Sequence, residues 1–219
     1  RAYHMRTGLT SETIANHAAD SVCSAEKTAR LEQRRALRKQ LIERRMALSH
    51  DEVERLSETI RSNLRQTFPQ LAGLRVAFCW PVKNEADLRP LMEAWISAGA
   101  PGFKALLPVV TAPGAALAFR EWAPGCAMVI DRYGIPTPAA GAFLTPQALL
   151  IPVNAFDEAG YRVGYGGGFF DRTLAALSPA PLSIGIGFEL ARVSTIHPEA
   201  HDVRLDAMVS EAGTFRPAA

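Results

Sequence analysis

Four short runs of this chain are apolar almost without interruption: RVAFCW at 75–80, KALLPVV at 104–110, ALLIPV at 148–153 and LSIGIGF at 182–188. A strand with one face in water alternates apolar and polar residues, whereas a strand covered on both faces does not. Between the runs lie helical patterns. Ser49 followed by Glu52 is a capping-box signature that opens a helix running to about Thr67, which Pro69 stops. Glu85 to Ala98 and the stretch beginning near Phe170 also read as helices. ALAFREW at 116–122 and AMVS at 207–210 add further strands. Buried strands separated by helices predict an α/β fold: a single layered domain with a mostly parallel central sheet flanked by helices, plus an N-terminal helical arm. At 219 residues the chain is long enough for one domain that buries about 70% of its unfolded surface without a disulfide or metal staple.

Arg1 to His4 ahead of Met5 read as an expression remnant, and residues 5–26 as a flexible extension, leaving 27–219 as the domain. From Lys27 to Arg45 the arm is basic, with Leu37, Leu41 and Leu48 forming one narrow apolar stripe. Glu26, Glu32 and Glu43 break its charge, no aromatic interleaves it, and the formal net charge is only +2. Nucleic acid is therefore not an expected partner, and no obligate protein partner is evident. No apolar run reaches membrane-spanning length. Cys23, Cys79 and Cys126 are scattered with no zinc spacing, which suits a reducing compartment and a cytoplasmic protein. Residues 123–146, rich in Pro, Gly and Ala, read as a long ordered connection.

Chemistry concentrates in NAFDEAGYRVGYGGGFFDRTLAAL at 154–177. A loop that is mostly glycine from Gly164 to Gly168, running into a helix, can turn backbone N–H groups and the positive helix end toward an anion. A polyphosphate suits it; a plain chain-reversing turn is the competing reading. The segment matches neither the P-loop nor the dinucleotide fingerprint, because Asp171 replaces the Lys-Ser pair and Phe169 the last glycine. Asp171 is either an N-cap or a hard oxygen ligand for magnesium. Arg34 and Arg38, four apart, share a helix face and could clamp a phosphate. His197, His201, Asp202 and Asp206 form a second polar cluster without a third soft ligand for zinc.

Taken in order, RRALR, CWPVKNEADL, GIPTP, LLIPVNAFDEAGYRVGYGGGFFD and HDVRLD resemble the motifs of the 5-formyltetrahydrofolate cyclo-ligase family over most of residues 33–211. The resemblance implies a layered α/β fold and an enzyme that uses ATP and Mg2+ to cyclise 5-formyltetrahydrofolate to 5,10-methenyltetrahydrofolate. It implies ATP contacts from Arg34, Arg35, Ala36, Leu37 and Arg38, and from the loop Arg162, Val163, Gly164, Tyr165, Gly166, Gly167, Gly168, Phe169 and Phe170. The same resemblance implies catalytic roles for Arg162 and Asp171, and metal binding by Asp171 with Asp206. It further implies that Trp80 and Glu85 line the folate site, with Tyr165, Gly166, Gly167, Gly168 and Phe169 facing it from the loop. Arg34 stands where a lysine is usual, Phe170 where a tyrosine is common, and Thr137 where many members carry glutamate. A non-catalytic folate- or nucleotide-binding protein of the same descent is the alternative reading. A dinucleotide domain is disfavoured because the stretch where its ribose-binding acid would stand, LSPAPLSIGIGF at 177–188, holds no acid before Glu189.

Overall fold

The apolar runs become the inner strands of one sheet. In a computed structural model that describes residues 11–218, the chain forms α1 (Ser11–Met46), α2 (His50–Thr67), β1 (Arg75–Ala77), α3 (Arg89–Ala98), β2 (Lys104–Val109) and β3 (Ala118–Trp122). It continues through β4 (Met128–Ile130), β5 (Pro136–Pro138), β6 (Ala148–Pro152), β7 (Ala155–Phe156), β8 (Arg162–Val163), α4 (Phe169–Ala176), β9 (Leu182–Ile186), β10 (Ala207–Ser210) and β11 (Gly213–Phe215). The central sheet has seven strands in the order β11-β10-β9-β6-β1-β2-β3. Its five inner strands are parallel, and each edge strand pairs antiparallel to its neighbour.

Non-alternating strands are covered on both faces. Val76, Leu107, Leu150 and Ile184 point to one side and pack with Ile60 and Leu64 of α2 and Leu91, Met92 and Trp95 of α3. Ala77, Leu106, Leu149 and Ile151 point to the other, where Phe169, Phe170 and Leu174 of α4 cover them. α2 opens as its spacing predicts: the Ser49 hydroxyl accepts from the Glu52 N–H, and the Glu52 carboxylate accepts from the Ser49 N–H.

Four boundaries differ from expectation. α3 begins at Arg89 rather than Glu85, because Pro90 in its first turn excludes helix further back and Lys83 and Asn84 take left-handed conformations (φ 49° and 58°). The 123–146 connection contains the β4–β5 hairpin, turned by Asp131, whose Oδ1 accepts from the N–H groups of Tyr133 and Ile135. A last strand, β11, follows β10 through a tight turn at Gly213 (φ 135°). α1 takes in residues 11–26 of the expected flexible extension; its residues 5–10 and the expected remnant at 1–4 lie outside the described residues.

A small hairpin carries the glycine loop. In β7–β8, Asp157 accepts from the Tyr161 N–H with one oxygen and from the Ile196 N–H with the other. At its tip, Gly160 has φ 87°, and a Cβ there would meet the Pro217 ring at 2.4 Å. The hairpin and α1 close on each other through Leu37, Leu41, Ala155, Val163 and Ile196. This satellite core fixes the helical arm against the loop.

Candidate active site

Residues that follow the C-terminal ends of three parallel strands converge: Glu85 after β1, Asn154 after β6 and Gly187 after β9 line one cavity with Arg45. Ligands of open α/β sheets bind at this edge. Above it runs the loop between β8 and α4. Gly166 (φ 94°) and Gly168 (φ 66°) are left-handed, and Gly168 caps α4 with no side-chain bond to the first turn. The N–H groups of that turn are therefore left for a ligand, which is the anion-binding arrangement its glycines suggest.

Arg38 is the cation on this loop. Its Nε donates to the Gly164 carbonyl at 2.6 Å, and its guanidinium lies 3.3 Å from where a Gly166 Cβ would stand. Among the described residues it makes no ion pair with a carboxylate. Burial, then Arg34 and Arg35, lower its pKa, which marks an unbalanced positive field. Arg34, expected beside it as a phosphate clamp, instead forks onto Asp202 at 2.7 and 3.1 Å. Arg35 and Ala36 face solvent, and Leu37 and Val163 pack in the satellite core. Of the expected ATP segment, Arg38 alone is presented to the loop.

Arg162 is 6% exposed and donates to Val203 O and to Asp171 Oδ1, each at 3.0 Å. The same Asp171 oxygen accepts from the Val203 N–H at 3.0 Å. Asp171 is therefore not the N-cap; it locks the first turn of α4 onto the 203 segment. Asp206, expected to share a magnesium with it, accepts from the N–H and hydroxyl of Ser183 at 2.8 and 3.0 Å. The two carboxylates are tied to different partners, and the geometry gives Asp206 a role in joining β9 and β10. No group of three or more His, Cys, Asp or Glu side chains gathers as a metal cage among the described residues. Asp171 Oδ2 has no hydrogen-bond partner there, so the donors fit a magnesium ion carried on nucleotide phosphates with one protein carboxylate.

The expected folate side is built around Glu85, 6% exposed. Its Oε1 accepts from the Tyr165 hydroxyl at 2.6 Å and its Oε2 from the Val82 N–H at 3.0 Å. Burial raises its pKa, against the pull of Tyr165, Val82, Arg45 and Lys83. Trp80 packs edge-on to Trp122, with the Arg89 guanidinium 4.5 Å above its ring. Phe169 stacks edge-on against Tyr133 of the hairpin turn, and Phe170 packs under α4. The Thr137 hydroxyl, in place of a common glutamate, donates to Pro108 O.

A family model described as the 5-formyltetrahydrofolate cyclo-ligase family matches residues 30–211. The chain belongs to this family, and it is a ligase. It is 28% identical over 175 residues to the 5-formyltetrahydrofolate cyclo-ligase of Escherichia coli strain K12, covering 77% of this chain and 94% of that one. It is 26% identical over 179 residues to the Mycoplasma pneumoniae cyclo-ligase, covering 80% and 97%. The solved structure of Aquifex aeolicus 5,10-methenyltetrahydrofolate synthetase superposes with a TM-score of 0.73 at 28% identity, over 85% of this chain and 93% of that one.

The candidate site also contains residues that pattern reading missed. Arg45 reads in sequence as one more charge of the basic arm, yet it is 4% exposed and touches the Glu85 cluster. A signal was present: Arg34, Arg38 and Arg45 share the helical phase of Leu37, Leu41 and Leu48, so the apolar stripe contains three guanidinium groups. Asn154, 2% exposed, holds Arg45 through Oδ1 at 2.9 Å, while its Nδ2 is buried without a partner.

Proposed function

We propose that this cyclo-ligase converts 5-formyltetrahydrofolate and ATP to 5,10-methenyltetrahydrofolate, ADP and phosphate. One observation carries the reading. Tyr165, inside the glycine loop, hydrogen-bonds to Glu85, so a phosphate-type loop and a buried carboxylate suited to a pterin adjoin through one side chain.

The formyl oxygen is a poor leaving group until it is phosphorylated. It attacks the γ-phosphorus, the bond to ADP breaks, and the N10 lone pair then adds to the activated formyl carbon. The N10 proton leaves, the C–O bond breaks, and phosphate departs with the ring closed. Nucleophile and electrophile both belong to the substrates, so the protein's work is positioning and charge stabilisation. Arg38 and the Gly166–Gly168 backbone take the phosphoryl charge from two sides. Arg162 holds Asp171 in place rather than reaching the phosphate. Glu85 accepts the paired N–H donors of a pterin, and Trp80 supplies apolar surface beside it. Magnesium, held by Asp171 and the phosphate oxygens, would neutralise developing charge on the transferred group. The free thiols suit a reducing compartment, the cytoplasm.

The test mixes purified protein, MgATP and 5-formyltetrahydrofolate and follows the methenyl product by its near-ultraviolet absorbance together with ADP and phosphate. One-to-one-to-one stoichiometry that stops on chelation of magnesium is expected. A folded protein that binds ADP but forms no product refutes the reading.

A further inference from the structure

Arg45 has no assigned role, and its surroundings are unlike those of any other arginine in the site. It stands buried in the last turn of α1, and each of its three nitrogens donates a hydrogen bond. Nε donates to Lys83 O at 2.8 Å, Nη1 to Asn154 Oδ1 at 2.9 Å and Nη2 to the Tyr165 hydroxyl at 3.0 Å; Nη2 is also 3.9 Å from Glu85 Oε1. These bonds join four segments: the arm, the loop before α3, the end of β6 and the glycine loop. Beneath them lies a cavity of about 10 Å3, lined by Arg45, Glu85 and Asn154. That is room for one water, which the unpartnered Asn154 Nδ2 would hold.

We infer that Arg45 is a positioning residue of the folate site, aligning the Glu85 carboxylate and the Tyr165 hydroxyl as one hydrogen-bonded set. The inference rests on the function proposed above. Arg45 is assigned no contact with substrate, because each of its three nitrogens already donates within the protein. It acts through Glu85, which must be ionised to accept two N–H bonds from a pterin. The groups facing that carboxylate are Arg45 from α1, Lys83 from its own loop, Tyr165 from the glycine loop and the Cys79 thiol after β1. Arg45 is the buried cation among them. Without it, a carboxylate already raised by burial takes up a proton closer to neutral pH.

The experiment measures KM for 5-formyltetrahydrofolate, kcat and ADP affinity from pH 6 to 8 in wild type, Arg45→Gln, Arg45→Lys and Tyr165→Phe. Arg45→Gln is expected to raise the folate KM about tenfold or more at pH 6, the size of one charge-assisted contact, and less at pH 8, with ADP affinity held. Arg45→Lys restores the wild-type pH profile but leaves a raised KM, since an ammonium cannot reproduce the fork. Tyr165→Phe, at a half-exposed side chain that spares the fold, raises KM, and the double variant of Arg45→Lys with Tyr165→Phe, measured alongside, raises it by less than the product of the two single effects. Unchanged folate KM at every pH in a folded Arg45 variant overturns the inference, as does an equal loss of ADP affinity. Should both Arg45 variants fail to fold, wild-type KM in Tyr165→Phe overturns it alone. A wild type without turnover sinks the function instead, and so the two failures are told apart.

Discussion

Asp171→Ala removes more than the proposed metal ligand. The Arg162 side chain is 4% exposed and its carboxylate partner 21%, so truncation leaves a buried guanidinium without its counter-charge, at a cost of about 3–5 kcal/mol. The Val203 N–H loses its acceptor as well, which adds about 1 kcal/mol. For a chain of this size each kcal/mol lowers Tm by roughly 2–4 °C, so a fall of roughly 10–20 °C is expected. Asp171→Asn keeps an oxygen for both donors and loses only the charge; with charge-assisted bonds about twice as strong as neutral ones, roughly half that fall is expected. Thermal unfolding followed by circular dichroism reads the first effect. Turnover at 25 °C and limiting magnesium, with both variants folded, reads the second. A Tm for Asp171→Ala within about 3 °C of wild type refutes the buried-pair reasoning. Wild-type turnover and magnesium dependence in Asp171→Asn refute the metal role.

Arg38→Gln, which loses only the bond to Gly164 O within the protein, should weaken ADP binding by about 10- to 100-fold, the value of a charged phosphate contact; calorimetry checks it, and Tm should hardly move. Gly168→Ala places a Cβ at φ 66° and 2.7 Å from Arg172 Nη1, so a loss of about 1–2 kcal/mol is expected from denaturant unfolding, with weaker nucleotide binding. Although burial opposes it, the Arg34 fork and the Glu199 N–H hold the Asp202 carboxyl below its usual range. A depressed carboxyl stabilises above the unfolded pKa of about 3.9 and loses that contribution as pH falls through the folded value. The Tm gap between wild type and Asp202→Asn should therefore be constant near neutrality and close below about pH 4.

The layers were legible because burial on both faces leaves a mark that does not depend on partners: β1, β2, β6 and β9 read as apolar runs, and the ends of α2 follow from Ser49, Glu52 and Pro69. The glycine loop was legible for a similar local reason. Pairings between distant residues were not. Nothing near Arg34 marks Asp202, 168 residues on, as the partner that occupies its fork, and nothing near Asp206 marks Ser183. Arg44 and Arg45 are adjacent and chemically identical; only the helical phase separates the exposed one from the buried one. The β4–β5 hairpin hid because its strands are three residues long and one carries two prolines, which short two-stranded pairs tolerate.

The clasp between Arg34 and Asp202 also sets an order of assembly. The arm emerges during synthesis well before its seat, which is made of β7, β8, Ile196 and Asp202. Closing so long a loop costs entropy that grows only with the logarithm of its length, but it must wait for the distal segment to exist. Until then Arg38 has no glycine loop to meet and Arg45 no carboxylate. The proposed nucleotide site is thus among the later parts of this domain to form, and a nascent chain stopped short of residue 202 carries a basic helix that has not yet found its seat.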